Sequence, residues 1–112
     1  MRKVAVIIRT PPHGKYLSSE GLRIATALTL YDLDLYVIGV EDGVYNFLKD
    51  ADKSTYEEHL EYLSESEVNI LLDEDSIKER GLRKSDIIEK AAITPHEEIV
   101  DIISQCFTTL IF

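Results

Sequence analysis

Val4-Ala5-Val6-Ile7-Ile8 is an unbroken apolar run. A strand with one wet face alternates apolar and polar residues, whereas an unbroken run marks a strand covered on both faces. Similar runs return at Leu35-Tyr36-Val37-Ile38-Gly39-Val40 and at Val68-Asn69-Ile70-Leu71-Leu72. Strands of this kind belong to parallel sheets, whose neighbours must be joined by long crossovers, usually helical. The chain therefore has to fold as alternating strands and helices.

The segments between the runs agree. Thr10-Pro11-Pro12 ends the first strand, because proline has no N–H for the ladder. Ser18 and Ser19 then offer N-caps, and Gly21, Ile24, Ala25 and Leu28 share one helical face, up to about Tyr31. After the second strand, Glu41-Asp42-Gly43 turns into a short helix, Val44 to Leu48, and a polar linker runs from Lys49 to Ser54. A helix is expected over Thr55 to Ser64, with Tyr56, Leu60 and Leu63 inward. Its Glu58, Glu61 and Glu65 form a solvent-facing stripe, since like charges at this spacing do not support one another.

Asp73-Glu74-Asp75-Ser76 opens a further short helix ending at Arg80, with Gly81 placed as its C′ residue. Asp86 to Ile93 reads as a fourth strand, less buried because it holds Glu89 and Lys90. In Thr94-Pro95-His96-Glu97, Thr94 reads as N-cap, Pro95 as the first helical residue and Glu97 as the closing member of a capping box. That helix buries Ile99, Ile102 and Ile103, and Phe107 to Phe112 forms a fifth strand. The expectation is one α/β domain over residues 1–112: a three-layer α/β/α sandwich on a five-stranded, mainly parallel sheet with flavodoxin-like layering.

Charge and cysteine usage narrow the function. A formal net charge of −9 argues against direct nucleic-acid binding, which needs a basic face. No apolar stretch reaches the ~18–20 residues of a membrane span. Arg9 interrupts the first apolar run and no small-residue cleavage site follows, so no signal peptide is read. The one cysteine, Cys106, excludes an intrachain disulfide and fits a reducing, cytoplasmic setting.

Sites in parallel sheets form at the carboxyl ends of the strands. The loops expected there carry His13, Lys15, Ser18, Ser19, Glu41, Asp42 and Asp73 as ligand-binding candidates, with Glu74, Asp75 and His96 beside them. Lys15 and Ser18 precede a helix start, where backbone N–H groups can hold an anion, yet neither GxxxxGK[ST] nor GxGxxG occurs. Glu41-Asp42 and Asp73-Glu74-Asp75 carry oxygens that suit Mg²⁺, but carboxylates at helix starts are favoured by the helix dipole alone. Capping is the reading taken, with no metal and no cofactor expected. His13 and His96 could meet across neighbouring loops, each equally readable as a hydrogen-bonded turn residue. Cys106 has no basic neighbour in sequence and reads as buried filler.

Several motifs together resemble the DsrE/DsrF-like family. They are Lys3 to Ile8, Thr10-Pro11-Pro12-His13-Gly14, Glu20-Gly21-Leu22, Asp42-Gly43-Val44, Ser76 to Leu82, and Leu110-Ile111-Phe112. The pattern is most similar to the DsrF/TusC branch of the sulfur-relay DsrEFH and TusBCD proteins. The resemblance implies homotrimers or homohexamers, or mixed hexamers with DsrE/TusD-like and DsrH/TusB-like chains. It also implies that the persulfide-carrying cysteine of the DsrE/TusD branch, just after the third strand, falls here at Asp73, whose charge would repel an anionic thiolate. No catalytic residue carries over, and a non-catalytic subunit is the first reading.

Two rivals remain at this level. One is a homo-oligomeric module holding a small anion or nucleotide at the loop from Thr10 to Ser19. The other is an enzyme acting through Cys106 or through a His13–carboxylate pair. Tyr16, Leu17, Tyr45, Phe47, Leu48 and Tyr62 are the residues expected at an exposed subunit interface.

Overall fold

The computed structural model describes residues 1–13, 16–50 and 56–112. Its strands are β1 (Arg2–Ile8), β2 (Leu33–Gly39), β3 (Asn69–Asp73), β4 (Ala92–Thr94) and β5 (Thr108–Ile111). Its α-helices are α1 (Leu17–Leu28), α2 (Glu57–Glu65), α3 (Glu74–Glu79) and α4 (His96–Gln105). The strands form one sheet in the order β4-β3-β2-β1-β5, with all four pairings parallel. The expected α/β sandwich is therefore present.

Helices cover the two sheet faces unequally. Val4, Val6, Ile8, Leu35, Val37, Ile70 and Leu72 point to one face and pack against Leu22 and Ala25 of α1, Leu60 and Leu63 of α2, and Ile77 of α3. Ala5, Ile7 and Ile38 point to the other face and meet α4 through Ile99, with Ile103 and Cys106 partly buried beside them. Chain direction explains the split. From β1 to β4 the chain steps one way across the sheet, and from β4 to β5 it returns past β1. Right-handed crossovers then send α4 to the opposite face from the rest.

Three local expectations change. The segment 86–93 pairs with β3 only over Ala92–Thr94. The Asp86 carboxylate accepts from the Arg83 N–H at 2.8 Å, closing a 3-10 turn over Lys84–Asp86. Ile87 then forms an isolated antiparallel bridge with Leu48, and the Ile88 N–H donates to the Phe47 carbonyl. The short helix expected over Val44 to Leu48 is a 3-10 helix that starts earlier and spans Glu41–Phe47.

Thr94 is not a side-chain cap. It is the last residue of β4, paired with Asp73, and its hydroxyl donates to the Ala92 carbonyl at 3.0 Å. Pro95 takes the N-cap place without a capping box, so α4 begins at His96. Of the interface residues expected, Phe47 is fully buried in the core and cannot serve, whereas Tyr16, Leu17 and Tyr62 are exposed. Tyr45 and Leu48 are half-buried. The linker positions 51–54 and the helix start at Thr55 lie outside the described residues.

Two glycines have stated reasons. Gly81 sits at φ +65° after α3, where its N–H donates to Lys78 and the Leu82 N–H to Ile77, the paired bonds of a Schellman ending. Gly43 lies against the end of β1: a Cβ there would overlap the Ile8 carbonyl oxygen and its carbon, both backbone atoms. We expect Gly43→Ala to lose at least ~1–3 kcal/mol, as overpacking against backbone does. Urea unfolding measures it, and an unchanged midpoint would contradict this close approach.

Candidate functional site

The loops after β3 and β4 leave the sheet toward opposite faces, which opens a crevice between the two strand ends. Asp73 ends β3 at this crevice, and His96 begins α4 two residues after β4 ends. The strand register pairs Asp73 with Thr94, which sets the two side chains within reach. His96 Nδ1 lies 3.0 Å from Asp73 Oδ1.

The other carboxylate oxygen is occupied from within. Asp73 Oδ2 accepts the Ser76 hydroxyl at 2.7 Å and the Ser76 backbone N–H at 3.1 Å, so Asp73 caps α3. Ser76 Oγ in turn accepts the Glu41 backbone N–H at 2.9 Å. Glu41 reaches that position with φ +51°, a left-handed conformation that costs a residue with a Cβ ~1–2 kcal/mol. Beside it, Arg80 donates to Asp42 Oδ1 at 3.0–3.1 Å and to the Ser76 carbonyl at 3.1 Å. Asp73 and Ser76 are almost fully buried. The result is a hydrogen-bonded line from the end of β2, through α3 and β3, to the start of α4.

The group turned outward is the imidazole. A carboxylate only accepts, so Nδ1 carries the proton toward Asp73 and Nε2 faces away. The His96 side chain is 55% exposed. The hydrogen bond to Asp73 raises the His96 pKa above its ordinary value, helped by the charge of Asp73 and by the nearby Asp75 and Glu97. His96 is thus a proton acceptor held in one tautomer at the sheet's carboxyl edge. The expected repulsion of anions by a bare Asp73 is moderated, because that carboxylate is buried and covered by three donors.

The remaining candidates are elsewhere. The Ser18 hydroxyl is buried and donates to the Pro11 carbonyl at 3.1 Å, and Ser19 donates to the Tyr16 carbonyl, so neither caps α1 by its side chain. Thr10 donates to the Phe112 carbonyl at 2.7 Å, and Asn46 donates to the Thr10 carbonyl at 3.0 Å. The loop after β1 is thereby tied into the fold. His13 is exposed on that loop, while Lys15 lies outside the described residues. β2 and β3 stand between β1 and β4, so the strand ends that carry His13 and His96 are about 14 Å apart, and His96 pairs with Asp73 instead. The Glu41 backbone, Asp42 and Asp73 are linked through Ser76 and Arg80, which were not among the expected ligand-binding residues, while the Glu41 carboxylate turns to Arg9 at 3.4 Å. The signal for Ser76 was its place three residues after an N-cap aspartate.

Cys106 lies at the opposite, amino edge of the sheet, just before β5. Its thiol donates to the Ile102 carbonyl at 3.3 Å, and burial pushes its pKa up. Among the described residues, no group of three or more His, Cys, Asp or Glu side chains is arranged to hold a metal ion, and no helix is long and apolar enough to cross a membrane.

The sequence pattern of the DsrE/DsrF-like family matches residues 2–112. The chain belongs to the DsrE/DsrF-like family. The intracellular sulfur oxidation protein DsrF of Allochromatium vinosum is 28% identical over 97 residues, covering 81% of this chain and 71% of that protein. A TusC homologue of Vibrio parahaemolyticus is 25% identical over 118 residues, covering the whole of both chains. These two relatives agree with the expected DsrF/TusC branch. The crystal structure of the YchN protein from E. coli superposes with a TM-score of 0.89 at 23% identity over the full length of both chains, so this DsrE/DsrF-like chain has the same fold.

Removing the Asp73 carboxylate should return His96 toward the ordinary histidine value of ~6.5. Titration of the His96 ring signals by NMR in wild type and Asp73→Asn tests this. Because the folded-state pKa is the raised one, the stabilisation from this pair is fully present below the unfolded-state pKa and lost as pH rises through the folded one. A wild-type His96 that titrates as in an unfolded peptide would overturn the pairing.

Proposed function

We propose that this chain is a DsrF/TusC-like subunit of a sulfur-relay assembly and does not itself carry the sulfur. One observation supports it above the others: Asp73, at the position where the family resemblance implies the reactive cysteine, is a buried carboxylate bonded to Ser76 and His96. A carboxylate cannot form a persulfide. The one thiol present, Cys106, sits at the other edge of the sheet with its pKa raised, so its thiolate fraction is low. The names of the two relatives, DsrF and TusC, favour partner chains of the DsrE/TusD and DsrH/TusB kinds, and the family resemblance implies a mixed hexamer, a homotrimer or a homohexamer.

In this reading the chain shapes the assembly and places the His96 imidazole near whatever the partners deliver to that edge. The rival reading, an anion held at the loop after β1, is weakened because the Ser18 hydroxyl is already committed to the Pro11 carbonyl.

Co-expression with DsrE/TusD-like and DsrH/TusB-like chains, followed by native mass spectrometry, tests the assembly. Treatment of the complex with a small persulfide donor tests the division of labour. The expected result is a sulfur atom added to the DsrE/TusD-like chain and none to Cys106. Sulfur on Cys106 of the native protein, or no association with either partner and no homo-oligomer, would overturn the proposal.

A further inference from the structure

The crevice between β3 and β4 lies where two neighbouring strands send their helices to opposite faces of the sheet. Ligands of open parallel sheets bind at such switch points. One basic atom stands open there. His96 Nδ1 is held by Asp73 at 3.0 Å, and among the described residues nothing bonds to Nε2. A contact that only pinned α4 would be served equally well by a side chain with nothing left over. Here the ring keeps the lone pair of Nε2 free and is 55% exposed.

The support behind the ring is rigid. The Asp73 carboxylate cannot turn away, because Ser76 donates to its other oxygen through both its hydroxyl and its backbone N–H. Ser76 is fixed in turn by the Glu41 N–H, which Glu41 offers from its left-handed φ of +51°. Backbone strain of that kind collects at functional sites. A buried carboxylate, an oriented imidazole and an open nitrogen, in that order, are what a positioned general base requires.

The surroundings select the proton that Nε2 can take. The charged groups acting on the ring are Asp73 at the end of β3, Asp75 on α3 and Glu97 on α4 itself. A phosphate or a carboxylate arrives as an anion and is repelled. A thiol arrives neutral. With an ordinary pKa of ~8.5 against ~6.5 for histidine, it is the closest match to an imidazole base among the common side-chain nucleophiles. This chain brings no thiol to that edge, because its one cysteine, Cys106, lies at the other. The thiol has to come from another molecule.

We propose that His96 is the general base for the thiol of a docked DsrE/TusD-like chain, with Asp73 as its positioning residue, resting on the subunit reading above for the source of that thiol. In the step, the S–H bond breaks, its electron pair stays on sulfur, and the proton goes to Nε2. The imidazolium so formed is balanced by Asp73 on one side and lies beside the thiolate on the other. The step is a proton transfer alone and consumes no oxidant or reductant. Its product, the thiolate, is the nucleophile in exchange at sulfur.

The test is the rate at which iodoacetamide alkylates the cysteine of the DsrE/TusD-like chain in the co-expressed assembly, followed by mass spectrometry across the neutral and alkaline pH range. Wild type is compared with His96→Gln, Asp73→Asn and His13→Gln. Native mass spectrometry and circular dichroism check that each assembly is intact and folded. The wild-type assembly should react near neutral pH faster than an ordinary thiol does. His96→Gln should slow the reaction at pH 7 roughly tenfold or more and move its rise to the ordinary ~8.5. Asp73→Asn should give a profile between the two. His13→Gln, on the loop after β1, should leave the profile unchanged. An intact assembly whose profile His96→Gln does not move overturns this proposal and leaves the subunit reading standing. An equal effect of His13→Gln overturns it too. So does the absence of any complex with a thiol-bearing chain, since no thiol then reaches the crevice, and native mass spectrometry tells that outcome from the others.

Discussion

The handedness of parallel crossovers governs most of this structure. Each crossover is right-handed, so the direction in which the chain steps across the sheet decides which face receives the next helix. Three steps in one direction place α1, α2 and α3 on one side, and the single return from β4 to β5 places α4 alone on the other. Two consequences follow. The strand ends of β3 and β4 separate their loops and open a crevice, at which Asp73 and His96 meet. The face under α4 is thinly covered, because one helix about 10–12 Å across lies over a sheet whose five strands span about 19 Å. Phe107 and Ile111 accordingly remain 62–65% exposed. Phe107 is also overlaid by the Arg2 guanidinium at 4.0 Å from its ring centre.

The elements legible in the sequence are those whose signal is local. An unbroken apolar run admits few readings, and β1, β2 and β3 appear where such runs stand. Gly81 was legible because only a residue tolerant of positive φ closes a helix by the Schellman bonds. The segment 86–93 was not, because its apolar residues serve two purposes. Ile87 packs into the helical layer and bridges Leu48, and only Ala92–Thr94 pairs with β3. Local periodicity cannot separate the two. The start of α4 moved for a related reason: Thr94 has the residue type of a cap, but sheet pairing had already taken it.

The site was legible in its parts and not in its assembly. Asp73 and His96 both stood out as loop residues at the carboxyl edge, yet they are separated by 23 positions and meet only because β4 lies beside β3. Strand order is a non-local property, and reading the loops without it made His13 as plausible a neighbour for His96 as Asp73. Ser76 was hidden for another reason. Its hydroxyl and its backbone N–H serve one carboxylate oxygen, so it looks like an ordinary helix-start residue until Glu41 is seen to donate to it.

Asp73 therefore holds three pieces together at the place the family resemblance assigns to a thiol: the start of α3, the start of α4, and, through Ser76, the turn after β2. A buried carboxylate is tolerable only with its lone pairs satisfied, and here all the donors come from the chain itself. What remains available to a visitor is Nε2 of His96. The surroundings of that nitrogen are acidic, with Asp75 and Glu97 acting on it in addition to Asp73. Such an edge favours a neutral proton donor or a cation over an anion. The charge this edge presents therefore follows the protonation of His96, which the hydrogen bond to Asp73 favours.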